Sequence, residues 1–178
     1  MTRVGERMNK TMATLLIVIG ALSLLEVADA QQAIFLARHA EDQRSEKDRP
    51  LSDAGRKRAL LLASLLKDAG IKTIFTSSLQ RTIDTAAPLA KALQIEPKVL
   101  SQLTTTFKQS DRDAFADLLR TQHREDIVLF VGHANTVPAL LKALKHPGEI
   151  KIPETDFDNL FVLFPKSDGP PTVLRLHY

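Results

Sequence analysis

The sequence contains no cysteine and no tryptophan. Without cysteine there is no disulfide framework, no thiolate metal site, no cysteine nucleophile and no lipidated N-terminal cysteine. One tyrosine and eight phenylalanines make up the whole aromatic complement, too few for platforms on which bases or sugars stack. Neither sign of charge dominates. Lysine and arginine number 24 against 21 aspartates and glutamates, a net charge of +3 spread along the chain with no basic stripe or arm, so a nucleic-acid partner is unsupported. What is present is the composition of one ordinary soluble domain: 178 residues, 44% hydrophobic and 25% charged. That length excludes a tandem of large domains, and that mixture excludes global disorder. No repeat, low-complexity tract or internal linker interrupts it.

The first thirty residues read as a leader. Arg3, Arg7 and Lys10 precede an apolar run from Leu15 to Leu25, broken only by Gly20 and Ser23. Ala28 and Ala30 then place small residues at the −3 and −1 positions of a cut before Gln31, the pattern of a secretory signal peptide. The competing readings are an uncleaved anchor and a core helix. The run is short for ~30 Å of hydrocarbon and Glu26 follows at once, so cleavage and export to the periplasm or medium are expected, with no stable membrane anchor afterwards. Residues 31–178 remain as the domain and keep the charge of +3, because the leader carries equal numbers of each sign.

Ala33 to Ala37 is a short apolar run without alternation, which reads as a strand buried on both faces. A polar loop, Glu41 to Arg49, separates it from a helix predicted from Ser52 as N-cap to about Ala69, closed by Gly70. Ala59, Leu62, Ala63 and Leu66 share one face of that helix, and Arg56-Lys57-Arg58 is expected on its wet side. Ile71 to Phe75 is a second buried strand. Thr76-Ser77-Ser78 is expected to cap a helix from Leu79, with Pro88 breaking or kinking it. Pro97 to Leu100 is a weak strand, and Ser110 is read as the cap of the next helix. Ile127 to Val131 is the clearest buried strand, followed by a helix over Thr136 to Lys145. Asn159 to Phe164 and Val173 to His177 flank a Pro/Gly-rich turn as a hairpin. Strands alternating with helices predict a three-layer α/β/α sandwich with a mostly parallel central sheet.

In such a sheet, ligands sit outside the carboxyl ends of the strands. Three stretches fall there: Arg38-His39-Ala40-Glu41, Ser77 to Thr82, and Gly132-His133-Ala134-Asn135. Together they place two histidines and two arginines at one rim. The last two stretches also open helices, whose N-terminal N–H groups favour anions. Guanidinium groups grip a phosphate bidentately, and imidazole is a competent nucleophile once that charge is neutralised. From the residues alone this is a phosphate pocket with a possible covalent histidine.

The same residues resemble the histidine phosphatase (phosphoglycerate mutase-like) superfamily. Arg38-His39-Ala40 is similar to its Arg-His-Gly. Ser77-Ser78-Leu79-Gln80-Arg81-Thr82-Ile83-Asp84-Thr85-Ala86 follows its Ser-x-Leu-x-Arg-(Ala/Thr)-x-x-Thr-Ala. Val131-Gly132-His133 matches its strand followed by Gly-His, and Pro50-Leu51-Ser52-x-x-Gly55 its Leu-(Thr/Ser)-x-x-Gly helix start. The matches come in the family's order over nearly all of residues 31–178. The resemblance implies a phosphoglycerate mutase-like fold, His39 as a nucleophile that becomes a phosphohistidine, and Arg38, Arg81 and His133 binding the phosphoryl oxygens. It implies no metal and no organic cofactor, with a small phosphorylated compound as substrate. The compact layout with Asp48-Arg49-Pro50-Leu51 is closest to small bacterial phosphohistidine phosphatases, and Arg49 is a possible third phosphate-directed cation.

The departures are informative. Ala40 replaces the usual Gly, and Asp42 and Ser45 stand where the mutase branch has Thr and Asn, which speaks against a mutase. The family's general acid lies either in the loop after the third strand or directly after the second histidine. Here those places hold Leu100-Ser101-Gln102-Leu103 and Ala134, with no carboxylate. Good leaving groups, phosphoramidates among them, are therefore expected to fare best. The rival readings are a non-catalytic phosphate or polyanion-binding module and a cell-envelope sugar phosphatase. Glu41 and Asp42 are expected mainly to solvate the loop, with a proton-donor role the alternative; Arg49 is balanced between phosphate contact and a salt bridge to Asp48 or Glu46. His123, His146 and His177 show no metal-ligand spacing and are read as surface residues.

Overall fold

A computed structural model describes residues 33–43, 49–102 and 107–178. The leader over residues 1–30, with its cut before Gln31, lies outside the described residues, as do Ser45, Glu46, Asp48 and Leu103. Among the described residues no helix is long and apolar enough to cross a membrane.

The order of elements is β1 (Ile34–Arg38), α1 (Asp53–Leu66), β2 (Ile71–Ser77), α2 (Gln80–Leu93), β3 (Lys98–Leu100), α3 (Gln109–Thr121), β4 (Ile127–Gly132), α4 (Thr136–Ala143), β5 (Asn159–Phe164) and β6 (Thr172–His177). The six strands form one sheet in the order β3-β2-β4-β1-β5-β6. Pairing is parallel from β3 to β1 and antiparallel on either side of β5. The central runs are apolar throughout because side chains alternate between two covered faces. Leu36, Phe75, Val128, Phe130 and Phe161 pack on one side with Phe115 and Leu119 of α3 and Leu140 of α4. Ala37, Ile74, Leu129, Val131 and Leu160 pack on the other with Leu62 and Leu66 of α1 and Leu89 of α2. The fold is the three-layer sandwich predicted, with helices on both faces.

Local chemistry explains most boundaries and corrects several. Ser52 is the N-cap of α1, its Oγ accepting from the Gly55 N–H at 3.1 Å. That helix ends at Leu66, and a turn carries the chain to Gly70, so its last three expected residues are not helical. Ser77 and Thr76 belong to β2 and not to a cap box. Leu79 holds the N-cap position of α2 without a side-chain bond, and the Ser77 Oγ accepts from the Leu79 N–H at 3.3 Å. Pro88 does not break α2, which runs through to Leu93; the missing N–H costs one bond in a helix held by burial of Thr85, Ala86, Leu89 and Ala90. Ser110 is no cap. Helix α3 starts one residue before it, at Gln109, and the Lys108 carbonyl already accepts from the Arg112 N–H at 3.1 Å. Two surface assignments also fail. His123 is buried against Phe75, ring centroids 5.3 Å apart, with Nδ1 2.7 Å from Asp126 Oδ2, and His146 is half-buried.

Candidate active site

Three strand ends converge. In the β1–β4 pairing Arg38 faces Gly132, so the residues that follow, His39 and His133, leave the sheet side by side. Their ring centroids lie 5.2 Å apart, edge to face. Strand β2 flanks β4 on its other side and delivers Ser77 and the start of α2. Arg38, His39 and His133 are all buried, at 3%, 5% and 4% exposure. They form a floor.

Each side chain is held by its neighbours. The His39 N–H donates to the Gly132 carbonyl at 2.9 Å, and its Nδ1–H donates to the Ala40 carbonyl at 2.8 Å. That bond sets the tautomer and leaves the lone pair on Nε2. The Ala40 N–H donates to Thr85 Oγ1 at 3.0 Å, and the Thr85 hydroxyl donates onward to the Arg81 carbonyl at 2.7 Å. Thr85 therefore ties the loop that follows His39 to the helix that carries Arg81. His133 Nε2 meets Ser77 Oγ at 3.0 Å, and Ser77 Oγ meets Thr82 Oγ1 at 2.9 Å. Thr82 donates to the Leu79 carbonyl at 2.8 Å, so the polarity of the chain runs from His133 Nε2–H to Ser77 to Thr82. His133 Nδ1 is buried with no hydrogen-bond partner. A buried nitrogen in that condition is costly unless a ligand meets it.

Two glycines permit these approaches. A Cβ on Gly132 would stand 2.5 Å from Thr136 Oγ1, the atom that accepts the His133 N–H. A Cβ on Gly55 would stand 2.1 Å from the Glu41 carbonyl oxygen. The Leu-Ser-x-x-Gly segment thus presses the start of α1 onto the loop two residues beyond His39, where the Ser52 N–H also donates to the Glu41 carbonyl at 2.9 Å.

Electrostatics complete the floor. Burial is the main cause that lowers His39 to about 3; Arg81, Arg38 and Arg49 add to it against the opposing bond to Ala40. Burial likewise lowers His133 to about 3, with His39, Arg81 and Arg38 contributing. Both imidazoles are neutral near pH 7, the state a nucleophile requires. Arg81 and Arg38 bring positive charge to both rings, the kind of charge that favours an anionic ligand.

The remaining predicted residues divide. Arg49 stands half-exposed, 3.6 Å from Asp42 Oδ2, and the nearly buried Asp42 carboxylate lies 3.9 Å from Arg81. Asp42 is therefore a site residue and not loop solvation. Glu41 is not solvated either. Arg58 clamps it with three bonds of 2.8 to 3.0 Å and also donates to the Tyr178 carbonyl, so Arg58 does not belong to a wet face. Although burial opposes it, Arg58 holds the Glu41 carboxyl below its usual range. Gln102 is exposed, and Ala134 lies beside His133 without a carboxylate, as the sequence indicates.

One wall was not foreseen. Strand β5 runs antiparallel to β1, so its start, and the loop over residues 153–158 before it, lie at the carboxyl end of β1. Arg38 Nη1 donates to the Pro153 and Asp156 carbonyls at 2.8 and 3.0 Å, and Nη2 to Glu154 Oε2 at 3.0 Å. The Phe157 ring lies 4.0 Å from the Arg38 guanidinium carbon and 5.9 Å from the His39 ring. The only trace of this in the sequence is a lone Phe among carboxylates ahead of a strand.

Sheet order, helix placement and the position of the two histidines define a phosphoglycerate mutase-like α/β fold. Residues 34–106, the segment bearing Arg38, His39 and Arg81, match the family model described as histidine phosphatase superfamily (branch 1). No curated protein matches the chain. Among solved structures, the protein histidine phosphatase SixA complexed with tungstate is 21% identical, with a TM-score of 0.67 over 82% of this chain and 97% of that one. The mycobacterial glucosyl-3-phosphoglycerate phosphatase Rv2419c complexed with VO3 is 17% identical, with a TM-score of 0.61 over 83% of this chain and 98% of that one.

Proposed function

We propose that this protein is an exported phosphatase that hydrolyses a small phosphomonoester or phosphoramidate through a phosphohistidine on His39. The observation that carries the reading is the His39 ring itself. Its Nδ1–H is committed to the Ala40 carbonyl, it is buried and neutral, and it sits beside His133 where the charges of Arg81 and Arg38 are felt. Nε2 attacks phosphorus as the bond to the leaving group breaks and its electron pair departs with that group. Arg38 and Arg81 meet the equatorial oxygens, where charge is spread in the transition state, and His133 joins them when its Nδ1 takes up a proton. Water then attacks the phosphohistidine, the P–N pair returns to Nε2, and inorganic phosphate leaves. No step calls for a metal or an organic cofactor. The likeness to a protein histidine phosphatase and to a glucosyl-3-phosphoglycerate phosphatase supports a phosphoryl group carried on nitrogen or on oxygen. The basic, apolar and Ala-x-Ala pattern of residues 1–30 supports export.

The test is a brief incubation of the protein with ³²P-labelled aryl phosphate, quenched in alkali and in acid. A label on His39 that survives alkali and is lost in acid is expected. His39→Ala should abolish both label and turnover while vanadate still binds, since Arg38, Arg81 and His133 remain. Retention of most activity in His39→Ala would refute the mechanism, and phosphate binding without turnover in the native protein would favour a binding module.

A further inference from the structure

Neither place where the family keeps its general acid holds a carboxylate, yet the site is not without one. Two carboxylates stand beside its cations. Asp42 is nearly buried between Arg81 and Arg49, at 5% side-chain exposure. Glu154 reaches Arg38 Nη2 at 3.0 Å from the loop before β5, and its side chain is 83% exposed. In-line transfer decides between them. His39 lies on the buried floor, so the leaving group departs on the opposite side of phosphorus, toward solvent. A proton donor must stand at the mouth. Glu154 is exposed there on Arg38, whereas Asp42 is nearly buried as a counter-ion to Arg81 and Arg49.

We propose that Glu154 is the general acid and base of this site, an assignment that rests on the phosphatase reading above. A phosphoryl oxygen on the Arg38 guanidinium lies about 2.7–2.9 Å from a donor nitrogen, which makes it a neighbour of the Glu154 carboxylate on the same group. The substrate monoanion brings one proton into this pair of anions. That proton passes to Glu154 as the phosphoryl oxygens take up Arg38, then moves to the leaving oxygen as the P–O bond breaks and the P–Nε2 bond forms. In the second half, attacking water gives a proton to Glu154 as the P–N pair returns to Nε2. Phe157 packs on Arg38 from the same loop and holds the anchor of this carboxylate in place.

The experiment compares native protein, Glu154→Gln and Asp42→Asn across aryl and alkyl phosphates of rising leaving-group pKa, with the His39 label and vanadate Kd measured in parallel. The native slope of log kcat/KM should be shallow. Glu154→Gln should lose ~10²–10⁴-fold on alkyl phosphates, less than about tenfold on activated aryl phosphates, and should keep its vanadate affinity. An equal loss across the series would make Glu154 a positioning residue for Arg38 and overturn the assignment. So would an unchanged slope, or steepening in Asp42→Asn alone. A native protein with no His39 label overturns the phosphatase reading and this assignment together, whereas a labelled His39 with parallel slopes overturns the assignment only.

Discussion

Gly55→Ala places a single methyl group where α1 meets the loop that follows His39. On propensity alone the change should help, because alanine in a helix is favoured over glycine by about 0.8–1 kcal/mol. The structure argues that packing wins. The new Cβ would lie 2.1 Å from the Glu41 carbonyl oxygen and 3.0 Å from its carbon. The oxygen belongs to the backbone and cannot rotate aside, so helix and loop must part by roughly 1 Å to restore ordinary contact. Overpacking of this kind costs ~1–3 kcal/mol, and the strained Ser52 N–H to Glu41 bond adds about 1 kcal/mol. After the propensity gain, a net loss of roughly 1–3 kcal/mol remains, a fall in Tm of about 2–12 °C for a domain of this size. The catalytic effect should exceed the stability effect. Glu41 is two residues from His39, and misplacement by about 1 Å costs ~10²-fold in rate. Thermal denaturation and kcat/KM toward an aryl phosphate on the same preparation test both halves. A Gly55→Ala protein as stable as the native one, with undiminished kcat/KM, would show that the close approach does not exist.

Two further outcomes follow from the same description. His39 and His133 both titrate near 3 when folded and near 6.5 when unfolded, so between those values only the unfolded chain binds their protons. Stability should fall as pH drops from about 6.5 toward 3, by up to ~1.4 kcal/mol per pH unit for each histidine. Urea midpoints should show a shallower decline in His39→Asn than in native protein, and identical declines would remove the basis for two neutral imidazoles. Expression of the full chain in a bacterium with a periplasm should yield exported protein whose intact mass begins at Gln31; exported material retaining Leu15 to Leu25 would show that the leader is not cleaved.

The sequence alone determined the alternating elements, the sandwich and the sheet edge at which Arg38, His39, Arg81 and His133 stand. These are local matters: apolar runs of strand length, helical spacing on α1, and motifs lying directly after strands. His39 and His133 could be placed together because parallel strands of one sheet end at one edge. What only the tertiary structure decided is whatever arrives from far along the chain. Arg58 and Glu41 are 17 residues apart, and Arg38 and Glu154 are 116 apart; no periodicity links either pair. The burial of His123 against Phe75 is non-local in the same way. The direction of β5 matters most. A hairpin over residues 159–177 was legible from its turn, but hairpins carry no local record of which neighbour they pair with. Pairing with β1, antiparallel, brings the loop over residues 153–158 to the edge that carries His39 and His133. Had β5 paired parallel to β1, the same residues would enter at the opposite end of the sheet, and Arg38 would have neither Phe157 nor Glu154 beside it.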